Sequence, residues 1–379
     1  MTSYIAQLLP IPSKLMQLER ASLHTVLRMP QNALRHADFM HLHEIGGPAL
    51  RSISAASVAA HIRTALKTVT SWRCWITQLE EAADRYLPAN YVVRDCLSVN
   101  CWDSPPIAVN LREAARGLPH HPTWARGLPD FISKLGTSNS GSWQDIPVQK
   151  LVYKELVANR FENNLNDTFQ RRLTSLFQPY ELDFQQAILL DGCWGALKKC
   201  RVADAVKIIK TWSNGWATSS RYHEGLILPC LFGCKSCIDC LEHYFKCPHL
   251  LALWTFLAGD VSRDPLKRWG LITPEPIDFL RIACVFSGYH AIRREFKRKI
   301  QFFNNNQTAL TGPQIRVAWT VFAETFQAEA SQVRLHSRRF SVASFLNFLQ
   351  HNSEFASCTV DMRPDVQAHG SSFHLHDVT

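Results

Sequence analysis

Five cysteines, Cys230, Cys234, Cys237, Cys240 and Cys247, crowd into one short stretch of a 379-residue chain that has 12 cysteines in all. No charged, then apolar, leader pattern is read at the N-terminus, so a reducing compartment is expected. Clustered cysteines there read as metal ligands rather than disulfides. A zinc ion asks for four nitrogen or sulfur donors in a tetrahedron, with sulfur at about 2.3 Å. Cys230 and Cys234 flank Leu231-Phe232-Gly233, and Gly233 can take a positive φ that folds the chain back. Asp239 and Glu242 stand at capping-box spacing, which predicts a helix from near Cys240. On that helix His243 and Cys247 lie four apart on one face, although Pro248 disfavours helical continuation through Cys247. The expected ligand set is Cys230, Cys234, His243 and Cys247, with Cys237, Cys240 and His249 as rivals. Four protein ligands close the site, so the expected cofactor is a structural Zn2+ without hydrolytic chemistry.

The surrounding chain reads as mainly α, with helical domains flanking the CCHC zinc module and a disordered C-terminal tail. Apolar residues recur at helical spacing over Ser13–Met29 (Leu15, Leu18, Leu23, Val26, Leu27) and over Ser54–Leu87. Gly46-Gly47-Pro48 marks a turn between them. Helices are also predicted over Val148–Phe161, Thr168–Phe177, Phe184–Leu190, Ala203–Trp212, Ile277–Phe303, Gly312–Ala328 and Phe340–Asn352, with Asn214-Gly215 breaking the fourth. The polar run Gly136–Ser142 is the best linker and places a domain boundary near residue 140. The predicted divisions are 1–135 helical, 136–144 linker, 145–227 helical connector, 228–256 zinc module, 257–355 basic helical domain and 356–379 disordered tail.

Lys and Arg total 41 against 32 Asp and Glu, a formal charge of +9 that favours a polyanionic partner. No apolar run reaches the roughly 18 residues of a membrane helix; Leu250–Ala258, the longest, reads as a buried helix. The basic residues Arg281, Arg293, Arg294, Lys297, Arg298 and Lys299 fall in one predicted helix, where Arg293, Arg294, Lys297 and Arg298 share a broad face suited to phosphates. An ordinary solvated face explains them equally. Beside the cysteines, Lys235 and Lys246 with Phe232, Tyr244 and Phe245 suit stacking plus phosphate contact, though Phe232 serves equally as knuckle core. Trp212 and Trp216 read as core, and Glu80-Glu81 with Asp84 as a solvated face. The chain has no Asp-Asp dipeptide, no G-x-x-x-x-G-K and no H-E-x-x-H, so no catalytic residue is assigned.

The run Lys210–Ser219, then Tyr222-His223-Glu224, Leu228-Pro229-Cys230, Leu241–Tyr244 and Cys247-Pro248, resembles the C-terminal region of LINE-type (non-LTR) retrotransposon proteins, where a CCHC knuckle lies downstream of the polymerase. Leu18–Pro30 and Leu42–Pro48 are similar to the helical segment after the polymerase palm. The resemblance implies metal binding at Cys230, Cys234, His243 and Cys247, although the three-residue His-to-Cys gap departs from the commoner four. It implies a non-catalytic role in target-primed reverse transcription, gripping template RNA or target DNA beside an upstream polymerase domain. The expected location is intracellular, in cytoplasm and nucleus, with no membrane partner. The alternative is a host zinc-domain protein that binds another protein.

Overall fold

The computed structural model describes residues 15–30, 33–67, 147–161, 165–177, 190–221, 227–259, 261–298 and 309–358. They are mainly helical and contain no strand beyond one isolated bridge. Two compact units divide the chain: Met1–His43 with Pro48–Leu165, and Glu44–Gly47 with Asn166–Thr379. No helix among the described residues is long and apolar enough to cross a membrane. The proposed linker 136–144, the acidic run at 80–84 and the tail beyond 358 lie outside the described residues.

The first unit contains α1 (Leu15–Leu27), α2 (His36–His41), α3 (Ile53–Lys67) and α4 (Val148–Arg160). α4 packs along α3, so the segment expected to open a separate connector at 145 belongs here instead. α1 also departs from expectation. Leu27 is buried as expected, but Leu18 and Val26 are exposed, while Glu19 and His24 turn inward. The reason is polar: Glu19 accepts from the Ser54 N–H at 2.9 Å and pairs with His36 at 3.2 Å. His24 packs edge-on against Phe39, 4.8 Å between ring centres. A helix face set by a buried carboxylate is rotated from the one apolar spacing selects.

The second unit contains α5 (Leu165–Phe177), counted from Asn166, then α6 (Leu190–Leu197), α7 (Val202–Trp212) and α8 (Leu241–Tyr244). α9 (Pro248–Ala258), α10 (Pro265–Arg268), α11 (Pro276–Arg298), α12 (Gly312–Gln332) and α13 (Val342–His351) follow. The helix expected at 184–190 lies almost wholly outside the described residues. α6, with Gly192 and Gly195 inside it, forms where propensity gives no helical signal. α11 and α12 form the axis of this unit. At Gly288 a Cβ would meet the Phe322 ring at 2.6 Å, so the two backbones approach as closely as they do only with glycine there. Thr311 and Gln314 close a capping box that starts α12. Asn214, at φ 53°, ends α7, and Trp212 and Trp216 are both fully buried. Residues 228–256, expected as the zinc module, belong to the same compact unit as these helices.

Glu19 supplies a test of the first unit. Burial alone would raise its pKa, but the bonds from His36 and from Ser54 and Ser52 prevail and hold it at about 2. A carboxylate with a depressed folded pKa stabilises the fold fully above 4.5 and loses that contribution as pH falls towards 2. Glu19→Gln is expected to cost about 2–3 kcal/mol at neutral pH and much less near pH 3. Thermal melts of both proteins at the two pH values check this; an equal gap at both would mean that Glu19 carries no charge-dependent stability.

Candidate metal centre

The centre begins with a bridge. Pro229 and Ile238 pair antiparallel, the Cys230 N–H donates to the Cys237 carbonyl at 2.7 Å, and the Asp239 N–H donates to the Leu228 carbonyl at 2.8 Å. Between them the chain reverses through Gly233, whose φ of 103° is the left-handed value its place between the cysteines requires. The Gly233 N–H donates to the Cys230 carbonyl at 3.2 Å, and a Cβ there would lie 3.0 Å from the Ile315 side chain of α12, which would have to shift to admit it. This turn aims Cys230 and Cys234 at the same point.

The other two donors come from α8 and the start of α9, not from one continuous helix as expected. α8 is a single turn that stops at Tyr244. Asp239 does not cap it; the N-cap is Cys240, without a side-chain bond. The chain then bends, and Cys247 becomes the N-cap of α9, its Sγ accepting from the Leu250 N–H at 3.4 Å with Pro248 in the first turn. Arg268 holds this bend: its guanidinium donates to the Phe245 carbonyl at 2.7 Å, and the Trp269 indole donates to the same oxygen at 3.2 Å. Burial pushes Arg268 down to about 10.

The result is the expected quartet. Ligand atoms of Cys230, Cys234, His243 and Cys247 all lie within 4.8 Å of one another and could hold a metal ion. Cys234 and Cys247 sulfurs are 3.5 Å apart, Cys230 and Cys247 sulfurs 3.8 Å. Two sulfurs about 2.3 Å from a tetrahedral ion would be about 3.8 Å apart, whereas a disulfide needs about 2.05 Å. All three cysteines are free thiols. His243 Nε2 is buried without a hydrogen-bond partner, as a nitrogen reserved for a metal would be. Of the rivals, Cys237 and Cys240 stand outside this quartet, as does His249, although its Nδ1 is also buried without a partner.

Electrostatics point the same way. Burial pushes the Cys230 and Cys247 thiols up, while hydrogen bonds from those two thiols pull Cys234 far down against the opposing effect of burial. Three thiolates this close and this buried would repel one another, a cost that a bound dication would remove.

The aromatic and basic residues divide sharply. Tyr244, expected to face nucleic acid, is 1% exposed and donates from its hydroxyl to Asp239 at 2.7 Å. Arg293, expected to face phosphate, is 5% exposed; its Nε donates to the Ala217 carbonyl at 2.9 Å and stands 3.7 Å from Asp239. Both are structural because a buried carboxylate on the knuckle demands donors. Phe232 and Phe245 are core as well, Phe232 edge-on to Phe322 of α12 and Phe245 stacked on Phe177. Lys235, Lys246, Arg294 and Lys297 are exposed. Arg298 ends α11, and its side chain and Lys299 lie outside the described residues; Arg281 pairs with Asp278.

Asp239 is the structural residue whose role spacing missed. It is fully buried. Its Oδ1 accepts from Tyr244 at 2.7 Å and Tyr289 at 2.9 Å, and its Oδ2 accepts from the Ser219 N–H at 2.6 Å. Burial raises its pKa, opposed by Arg293 and these donors. A lone Asp between two cysteines, followed by a Tyr five residues on, was the available signal. Compared with family models, curated proteins and solved structures, the chain finds no match in any of the three.

Asp239→Ala leaves Arg293 buried without its counter-charge and is expected to destabilise the second unit by about 3–5 kcal/mol. Asp239→Asn, which keeps an acceptor for Ser219 while the tyrosine hydroxyls rotate, should cost clearly less. Urea denaturation followed by tryptophan fluorescence measures both; equal, small losses would remove Asp239 from this role.

Proposed function

We propose that the chain is a non-catalytic, zinc-stabilised nucleic-acid-binding part of a LINE-type retrotransposon protein, gripping template RNA or target DNA beside a polymerase domain. The supporting observation is the quartet Cys230, Cys234, His243 and Cys247, closed around one point and carried on a knuckle whose two lysines, Lys235 and Lys246, face solvent. Three sulfurs and one imidazole are a soft donor set that suits zinc, and four protein ligands leave no position for a reactive water. The net charge of +9 and the exposed Arg294 and Lys297 on one face of α11 favour a polyanion.

Cys230→Ser or His243→Ala is expected to lower zinc content from about one ion per chain to near none. Elemental analysis of desalted protein reads this directly; unchanged zinc in both variants would assign the metal to other residues.

The second reading, a protein-binding zinc module, draws on Ile227 and Ile238, both exposed beside the bridge. Salt separates the two. RNA or DNA affinity should fall steeply as salt rises, and Lys235→Glu with Lys246→Glu should flatten the log–log slope by about one for each phosphate no longer neutralised. Absence of binding to either nucleic acid at low salt would favour the protein partner.

A further inference from the structure

Away from the cysteines, α13, the segment before it and the end of α9 enclose an open cleft of about 530 Å³. That is within the roughly 300–1,000 Å³ of small-ligand sites. Its floor is aromatic: the buried Phe256 ring meets Phe348 edge-on at 5.5 Å, and Phe348 itself is only half-buried. Above the floor the Arg338 guanidinium lies 5.2 Å from the Phe256 ring centre. The backbone of Arg338 is tied on both sides, its N–H donating to the Leu257 carbonyl at 2.8 Å and its carbonyl accepting from Gln327 at 2.7 Å. The arginine is thus placed by main-chain bonds, and among the described residues no carboxylate pairs with it or with the adjacent Arg339. His351 Nδ1 donates to the Asn347 carbonyl at 2.8 Å, which fixes the ring at the rim. Among the described residues, no Asp or Glu lines the cleft.

An accessible ring and a guanidinium plane over an apolar floor suit a flat heteroaromatic. Two arginines without counter-ions suit a phosphate. We infer that this cleft, where Phe348 and Arg338 stand beside Arg339 and His351, seats one unstacked base of a single-stranded nucleic acid with its phosphate on the arginines. The proposal rests on the nucleic-acid reading above and adds a second binding point, one that selects single strands, since a paired base cannot leave its stack without cost.

The test uses the full chain with labelled oligo-uridine and oligo-thymidine strands of about 12 nucleotides, abasic strands of equal length and a DNA duplex. At least one base-bearing strand should bind about tenfold tighter than its abasic counterpart, and which one does identifies the occupant as RNA or DNA. Arg339→Ala and Phe348→Leu should each weaken that strand about tenfold while leaving duplex affinity, zinc content and helicity unchanged. A 5-iodouracil strand should crosslink within residues 338–352. Crosslinks confined to the knuckle or α11, no base dependence, or variants that bind as the parent does, overturn the cleft assignment and leave the broader reading standing. Failure of the parent protein to bind any strand at low salt overturns both.

Discussion

The second unit is organised around a carboxylate that has no access to water. Asp239 sits between Cys237-Ile238 and Cys240 on the knuckle, yet every partner of its side chain lies elsewhere: Ser219 on the segment after α7, Tyr244 on α8, Tyr289 and Arg293 on α11. A buried carboxylate is tolerated only when its lone pairs are filled, and leaving one donor out costs the full desolvation of the group. The requirement therefore acts as a geometric lock. The bridge at 229 and 238, the turn of α8 and the inner face of α11 can coexist in one relative arrangement, because any other leaves a charge or a hydroxyl stranded. Trp216 fills the space beside this lock, its ring centre 4.4 Å from that of Tyr289. The Trp319 indole fastens α12 to the same knuckle by donating to the Phe232 carbonyl at 3.1 Å.

That lock explains which features the sequence disclosed. The ligand quartet was legible because cysteine and histidine are uncommon, their spacing is short, and the turn at Gly233 is a local matter. α11 and α12 were legible from periodicity. The direction of Arg293 was not. Its neighbours Arg294 and Lys297 face solvent, and local charge pattern treats all three alike; only a carboxylate more than fifty residues earlier in the chain distinguishes them. Tyr244 escaped the sequence for the same reason, since an aromatic beside lysines looks the same whether its hydroxyl meets water or Asp239. On α1 the discrepancy has the same source again: Glu19 is buried through Ser54 and His36, and apolar spacing has no way to register a polar group that finds its partners at long range. The joint at Cys247 lay between these cases. Pro248 signalled a break, but the role of the Cys247 sulfur as acceptor for the next helix depends on a bend that Arg268 and Trp269 hold from outside.

The charge balance at the metal centre limits how a polyanion could approach it. With a dication bound, three thiolates and a neutral imidazole would sum to about one negative charge. The fold would offset that charge from two directions. Inside, the first turn of α9 points its Leu250 N–H at Cys247, placing the positive end of a helix dipole against the sulfur. Outside, Lys235 follows Cys234 directly and Lys246 precedes Cys247, and both are exposed while the sulfurs beside them are not. On the proposed reading a phosphate would meet the lysines rather than the metal, and an ion's contribution would be positional: it would hold two lysines, 11 residues apart in sequence, on one small knuckle. The same reasoning makes the centre inseparable from the helical body. The Phe232 ring packs against Phe322 of α12 and Cys247 caps α9, so an ion held at the four residues would draw on the same contacts as the packing of those helices, and its binding free energy would be folding free energy for the unit.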